Sequence, residues 1–367
     1  MLIARGNRYI GLMPDGERVL EWGRQILFDM TASRRISRDR KKVSPARCGS
    51  ASFPPPIVIT VLFRAVPIPI EKQPVCGYAE EMFPVSDEVS NVISRPFRLI
   101  VSQSRVGDRT PHAIPGAAAT AALLADQYGL EPMMLGGDAS HRVDDWSASL
   151  PEASDILRRL QAAVRQALAA GELPLLATNT CSASLATLPA AVKAIPGLKV
   201  LWVDAHGDFN TPDTTESGYL GGMVLAAACG LWDSGQGAGL DPKQILIAGI
   251  RDIDAPEQAL LTEAGVATLP PAAVSADAIL SFLGDSPVWI HSDWDALEPG
   301  HIPAAYKVPG GLLPMQLRSV LAAIPPSQIA GIELAEFEAA EDEDERSAAL
   351  ATMLDIVEPL LRPHILR

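Results

Sequence analysis

The chain has 367 residues, of which 48% are hydrophobic, and it carries a formal net charge of −14. This composition, with a mean hydropathy of +0.15, is typical of a globular protein and excludes a largely disordered one. No apolar run reaches the ~18 to 20 residues of a membrane span, and the N-terminus lacks the layout of a signal peptide, so we expect a cytoplasmic protein without a membrane partner. The acidic body also argues against a nucleic-acid partner.

The N-terminal part of the chain differs from the rest. Residues 1–50 carry a net charge of +6, from 11 basic and 5 acidic side chains, while the remainder carries −20. Residues 1–30 resemble the wing and linker helix of LysR-type transcription regulators, but the helix-turn-helix that would supply a recognition helix is missing. Residues 31–58 are basic and rich in Ser and Pro, a composition that cannot bury a core. We therefore expect 1–95 to be a poorly ordered extension and 96–367 to be the functional domain.

Strand-like and helix-like segments alternate through the second part of the chain. Apolar runs typical of strands occupy residues 97–101, 173–177, 201–203, 245–250, 288–290 and 329–334. Segments rich in Ala and Leu, typical of helices, occupy residues 117–128, 153–170, 188–194, 259–264, 315–323 and 348–361. This alternation predicts an α/β fold in which helices cover both faces of a parallel sheet. Functional groups of such a fold lie at the carboxyl ends of the strands.

Two motifs place acidic residues directly after predicted strands. In Asp204-Ala205-His206-Gly207-Asp208 every second side chain would point the same way if the backbone is extended, which favours a metal site, although a satisfied polar turn explains the motif too. The motif His291-Ser292-Asp293-Trp294-Asp295 repeats the layout and strengthens the metal interpretation. Such an oxygen-rich set suits Mn²⁺. Carboxylates that can bridge indicate two metals, about 3.5 to 4 Å apart.

Four motifs together resemble those of the arginase/agmatinase (ureohydrolase) family across residues 97–362. They are Asp204-Ala205-His206-Gly207-Asp208, Ser292-Asp293-Trp294-Asp295-Ala296-Leu297-Glu298-Pro299, Val308-Pro309-Gly310-Gly311-Leu312 and Gly331-Ile332-Glu333-Leu334-Ala335-Glu336. The resemblance implies a three-layer α/β fold around a parallel eight-stranded sheet. It also implies hydrolysis of a guanidino-type carbon–nitrogen bond by a metal-bridged hydroxide.

The resemblance assigns metal and catalytic roles to individual residues. Asp204 and Asp293 would bridge the two Mn²⁺ ions, Asp208 would bind one ion, and His206 and Asp295 would bind the other. Asp204, Asp293 and Glu336 are the implied catalytic residues.

The same resemblance implies that the substrate is a small guanidino amino acid. Glu336 would hold its guanidino group by a charged hydrogen-bonded pair. Asn210 and Ser217 would bind its α-carboxylate, and Asp254 its α-ammonium group. A plain Asx or ST turn is the alternative explanation of the loop that contains Asn210 and Ser217.

Two family histidines are absent from the sequence. Cys181, in Thr178-Asn179-Thr180-Cys181-Ser182, stands where the family has a histidine ligand, and Gly221 stands where it has a histidine that assists proton transfer. Cys181 can bind a metal as a thiolate, serve as a nucleophile, or be a buried structural cysteine. A nucleophile needs a neighbouring base, and the sequence identifies none.

These substitutions, together with residues 179–189, resemble the branch of the family that hydrolyses Nω-hydroxy-L-arginine to hydroxyurea and L-ornithine in D-cycloserine biosynthesis. Replacement of an imidazole by Gly221 would open space for the extra oxygen. An arginase, a catalytically impaired family member and a DNA-binding regulator are the alternatives. A homo-oligomer is compatible with the sequence.

Overall fold

The computed structural model describes residues 3–5, 9–12, 95–137 and 140–365. The chain divides into two units, Met1–Val85 and Ser86–Arg367. In the first unit, strands β1 (Ile3–Arg5) and β2 (Tyr9–Leu12) pair in an antiparallel manner. The remainder of the LysR-like segment and the basic stretch 31–58 lie outside the described residues.

The second unit is built on an eight-stranded sheet. Its strands are β3 (Phe97–Gln103), β4 (Met133–Gly136), β5 (Leu173–Ala177), β6 (Lys199–Val203), β7 (Ile245–Ala248), β8 (Ala267–Leu269), β9 (Val288–Asp293) and β10 (Ile329–Ala335). Their order across the sheet is β4-β3-β5-β10-β9-β6-β7-β8, and every neighbouring pair is parallel. The parallel eight-stranded sheet expected from the sequence is confirmed.

Helices cover both faces of this sheet. They are α1 (Ala113–Tyr128), α2 (Trp146–Ala169), α3 (Ser184–Ala194), α4 (Val224–Cys229), α5 (Ala255–Ala264), α6 (Ala276–Leu283), α7 (Pro314–Ala323) and α8 (Glu343–Ile365). One core contains residues of α1, α6, α7 and α8, and a second core contains residues of α2, α3, α4 and α5. Alternate residues of β6 enter different cores, since Leu201 lies in the first and Trp202 in the second. The fold therefore has three layers.

The sequence pattern gave incomplete bounds for several elements. The edge strands β4 and β8 and the helix α6 were not predicted, because each is too short to show a clear period. Helices α2 and α3 begin earlier than predicted and continue through Pro151 and Pro189. Both prolines lie in the second turn of their helices, where each removes one backbone N–H donor and the helix continues.

The four central strands bring the functional motifs together. In the sheet, β5, β10, β9 and β6 are consecutive. Ala335 of β10 is paired with Asp293 of β9, and Ser292 is paired with Val203 of β6. The residues that follow these strands therefore meet at one edge. No described helix is long and apolar enough to cross a bilayer.

Candidate metal and substrate site

Three aspartates and one histidine meet where β6 and β9 end. Asp204, Asp293 and Asp295 are at most 5% exposed. His206 Nδ1 lies 3.0 Å from Asp295 Oδ2 and 3.3 Å from Asp204 Oδ1. Backbone amides fix the carboxylates, because His206 N donates to Asp204 Oδ1 at 2.7 Å and Asp295 N donates to Asp293 Oδ1 at 2.8 Å. Asp204, His206 and Asp295 therefore meet at one point, whereas the alternation in the sequence predicted that Asp208 would join Asp204 and His206 there.

Asp208 is buried in the same region, and its Oδ2 has no hydrogen-bond partner among the described residues. Burial, and then the charge of Asp204, raise the pKa of Asp208 well above its usual range. The backbone of Asp208 is in the left-handed region, with φ of 47°. A strained backbone and an unpaired buried carboxylate both cost free energy of folding, and a cation bound to that oxygen would offset the cost.

The charges of this cluster favour a cation. Burial, followed by the charge of Asp295, raises the pKa of Asp293, and burial with the charge of Asp204 raises the pKa of Asp295 to about 6. For His206, burial opposes the charged form, but hydrogen bonds to Asp204 and Asp295 outweigh it and raise its pKa to about 12. Like charges this close are mutually destabilising without a counterion.

The donor set fits a bound metal. Within the described ranges, three groups offer ligand atoms that all lie within 4.8 Å of one another. They are Asp204 with His206 and Asp295, Cys181 with Asp293 and Glu336, and Cys181 with Asp204 and His291. The set combines several hard oxygen donors with nitrogen and one sulfur.

Cys181 lies against both a histidine and an aspartate. It begins the turn after β5, and its Sγ is 3.2 Å from His291 Nε2 and 3.3 Å from Asp293 Oδ2. Burial raises the pKa of the thiol well above its usual range, and the nearby Asp293 adds to the shift. No neighbouring base was identifiable from the sequence, but the structure places His291 beside the thiol.

His291 is held in place by an acidic partner. Its Nδ1 lies 3.2 Å from Glu333 Oε2, and its ring stacks on Trp202 with centroids 3.5 Å apart. Ser184 Oγ donates to Glu333 Oε2 at 2.6 Å, so the carboxylate has a second partner. His291 and Glu333 stood inside the quoted motifs without a role. His291 lies two residues before Asp293, a spacing that places both side chains on the same face of an extended strand. Glu333 carried no such signal, because its place beside His291 depends on the pairing of β9 and β10.

Glu336 follows β10 and accepts two hydrogen bonds on one oxygen. Cys181 N and Tyr219 Oη donate to its Oε1 at 3.0 and 2.9 Å. Tyr219 was not predicted. A Cβ built on Gly221 would lie 2.5 Å from Tyr219 Cε1, so the phenol ring occupies the space beside this glycine. The expectation that Gly221 opens space for a substrate oxygen is therefore wrong at this point of the site.

The three residues expected to bind the amino-acid end differ in their placement. Asn210 Nδ2 donates to Asp254 Oδ2 at 3.2 Å, and Asn210 Oδ1 is buried without a partner among the described residues. Asp254 also caps α5 through Glu257 N at 2.8 Å. Ser217 is exposed, and its Oγ accepts from Tyr219 N at 3.1 Å. The structure therefore joins Asn210 with Asp254, whereas the described hydrogen bonds of Ser217 lead elsewhere.

Solved structures share this fold. The arginase of Bacillus caldovelox superposes with a TM-score of 0.63 and 24% identity, over 72% of this chain and 98% of that one. The Entamoeba histolytica arginase in complex with L-ornithine gives a TM-score of 0.65 at 20% identity, over 73% and 99%.

Sequence comparisons agree with the structural ones. A Streptomyces lavendulae protein described as N(omega)-hydroxy-L-arginine amidinohydrolase is 51% identical over 261 residues, which are 71% of this chain and 96% of that protein. The Bacillus caldovelox arginase is 27% identical over 223 residues, or 56% of this chain and 75% of that enzyme. The model of the arginase family matches residues 91–357. The chain therefore belongs to the arginase family.

Proposed function

We propose that this protein is a metal-dependent hydrolase that converts Nω-hydroxy-L-arginine to hydroxyurea and L-ornithine. The observation that carries the proposal is the 51% identity to a protein described by this activity, over 96% of that protein's length. Arginases are also similar to the chain, but at 27 to 33% identity over shorter alignments. Hydrolysis of L-arginine to urea is therefore the second candidate.

We assign the metal ligands to the buried cluster and expect two Mn²⁺ ions. The proposed ligands are Cys181, Asp204, His206, Asp208, Asp293 and Asp295. The unpaired Oδ2 of Asp208 and the close approach of Asp204, His206 and Asp295 support this assignment. When bound, such ions supply Lewis acidity and a water of lowered pKa.

The chain's own residues would bind and orient the substrate. Glu336 would pair with the guanidino group, because its carboxylate is fixed by two donors on Oε1. Asn210 and Ser217 would bind the α-carboxylate, and Asp254, which accepts a hydrogen bond from Asn210, would bind the α-ammonium group. The bond that breaks joins the guanidino carbon to the side-chain nitrogen. That nitrogen takes a proton and leaves with L-ornithine, while the carbon gains the oxygen of water.

An N-hydroxyl group changes the reactivity of the substrate. It withdraws electron density and makes the guanidino group less basic, so a neutral and more electrophilic form is reached more easily near neutral pH. We infer that this difference offsets the loss of the histidine at position 221.

Cys181 is proposed as a ligand rather than as a nucleophile. A nucleophile role has a geometric basis, since His291 and Glu333 provide a base and its orienting carboxylate. The contact between Cys181 Sγ and Asp293 Oδ2 favours ligation, because it places the sulfur within the carboxylate cluster. Both described cysteines are free thiols, which supports a reducing, cytoplasmic location. We also propose a role in D-cycloserine biosynthesis.

Product analysis tests the proposed function. Protein loaded with Mn²⁺ is incubated with Nω-hydroxy-L-arginine or with L-arginine, and hydroxyurea, urea and L-ornithine are quantified by mass spectrometry. We expect hydroxyurea and L-ornithine in equal amounts, and no product after chelation of the metal. Turnover of neither substrate at full metal occupancy would instead indicate a catalytically impaired family member.

A further inference from the structure

Tyr219 lies between the proposed guanidino-binding carboxylate and a glycine. Its hydroxyl donates to Glu336 Oε1 at 2.9 Å. A Cβ on Gly221 would lie 2.5 Å from Tyr219 Cε1 and 2.9 Å from Cζ, distances that real Cβ atoms essentially never show. Gly221 is not in the left-handed region, so its backbone would tolerate a side chain. A side chain at position 221 would therefore have to displace the phenol ring from this position.

The ring of Tyr219 is itself held by two neighbours. The Tyr306 ring centroid lies 5.2 Å away, and the Arg109 guanidinium lies 5.1 Å from the centroid of the Tyr219 ring. Arg109 Nη2 also donates to the carbonyl of Ser217 at 3.1 Å, which fixes the loop that carries Tyr219. Aromatic and cation–π contacts of this kind favour the observed position of the ring.

The two donors on Glu336 use the same oxygen. Cys181 N and Tyr219 Oη both bind Oε1, and no described group donates to Oε2. Glu336 has a φ of 59°, a conformation that L residues rarely adopt, so its backbone is also constrained. The carboxylate is thus oriented with one oxygen satisfied by the protein and the other left for a ligand.

We propose that Tyr219 is a positioning residue for the guanidino-type substrate. Its hydroxyl orients Glu336 so that Oε2 faces the guanidino group, and its ring requires glycine at position 221. Tyr219 and Gly221 therefore act as a matched pair. This inference rests on the proposed function, because it takes Glu336 as the group that binds the guanidino end.

Tyr219→Phe tests the role of the hydroxyl. The variant keeps the ring and removes one hydrogen bond to a charged group, so kcat/KM for the guanidino substrate should fall about 10- to 100-fold. L-Ornithine serves as the matched ligand, because it has the same amino-acid end and no guanidino group. Its inhibition constant should not change. A general distortion of the site would weaken both ligands equally, and that result, or an unchanged kcat/KM, would overturn the proposal.

A double-mutant cycle tests the pairing with Gly221. Gly221→Ala in the native background should displace the phenol ring and lower kcat/KM about tenfold or more, in line with Tyr219→Phe. In the Tyr219→Ala background, the same substitution should have no further effect. Gly222→Ala is the matched control, because no atom lies within 4 Å of its added Cβ. Equal effects of Gly221→Ala in the two backgrounds would contradict the pairing.

Failure of the inference can be separated from failure of the proposed function. The native protein is first assayed with Nω-hydroxy-L-arginine and with L-arginine, and the variants are then compared on whichever substrate it converts. If it converts neither substrate, the proposed function fails. The role of Tyr219 is then tested by calorimetry of L-arginine binding to the Mn²⁺-loaded native and Tyr219→Phe proteins. Weaker binding of L-arginine by the variant, with unchanged binding of L-ornithine, supports the inference. Equal binding of L-arginine by both proteins overturns it.

Discussion

Cys181 offers the one sulfur atom among the oxygen and nitrogen donors of the described cluster. As a proposed ligand, a Cys181 thiolate among carboxylates would change the metal preference of its position, and its sulfur contacts His291 and Asp293. The sequence placed Cys181 after a strand but did not assign a partner to it. The partner comes from β9, which is distant in the chain and adjacent only after the sheet forms. No local pattern contains that information.

Cys181→Ser should weaken one metal position and leave the fold intact. A serine hydroxyl is a poorer ligand than a thiolate, so we expect metal content, measured by mass spectrometry of the dialysed protein, to fall from about two ions per chain towards one. Cys229→Ser is the matched control, since Cys229 is the other described cysteine and lies outside the cluster. Retention of two ions per chain in Cys181→Ser would show that Cys181 is not a ligand.

At the scale of elements, the packing of α1 against the turn after β10 depends on Gly116. A Cβ at this position would lie 1.6 Å from the carbonyl oxygen of Phe337, next to Glu336. The sequence predicted a helix only from residue 117, because a glycine is a poor helix former. The structure begins α1 at Ala113, since close packing against the Phe337 backbone compensates for the low propensity of Gly116.

Gly116→Ala should therefore destabilise the protein, although Ala is the better helix former. Overpacking of this kind costs about 1 to 3 kcal/mol, which exceeds the gain of about 1 kcal/mol in helix propensity. Chemical denaturation measures the difference. Ala122→Gly, at an exposed site of the same helix, is the control and should lose about 1 kcal/mol. A gain of stability in Gly116→Ala would contradict the packing described here.

Among the elements, those at the carboxyl-terminal edge of the sheet were the most predictable from the sequence. Strands β5, β6, β9 and β10 and the acidic residues after them followed from buried apolar runs and alternation. The order of these strands did not follow from the sequence, and the structure supplied it. The contact between His291 and Glu333 depends on that strand order. The contact between Tyr219 and Glu336 depends on the long loop after β6, which carries Tyr219. The motifs alone therefore did not reveal these three residues.

At the scale of the whole molecule, we propose that residues 96–367 form the catalytic domain and that residues 1–95 are an extension. The arginase-family match begins at residue 91, and the compact unit that contains every proposed site residue is Ser86–Arg367. The similarity to Streptomyces lavendulae N(omega)-hydroxy-L-arginine amidinohydrolase covers 96% of that protein with 71% of this chain. The N-terminal unit, Met1–Val85, lies outside the family match.

Deletion of residues 1–85 should leave kcat/KM and metal content unchanged. The deletion ends at the boundary between the two units, so it cuts no strand of the eight-stranded sheet. Steady-state kinetics and metal analysis of the purified variant measure the outcome. Binding of duplex DNA by the full chain, with a steep dependence on salt, would favour the alternative of a DNA-binding regulator. Loss of activity on truncation would also contradict the division proposed here.

The preference of the protein for a hydroxylated guanidino group is measured most directly by a competition assay. The Mn²⁺-loaded protein is given equal concentrations of Nω-hydroxy-L-arginine and L-arginine, and the initial rates of hydroxyurea and urea formation are compared, because their ratio equals the ratio of kcat/KM values. We predict that hydroxyurea forms faster. Equal or faster formation of urea would contradict the account and identify the protein as an arginase.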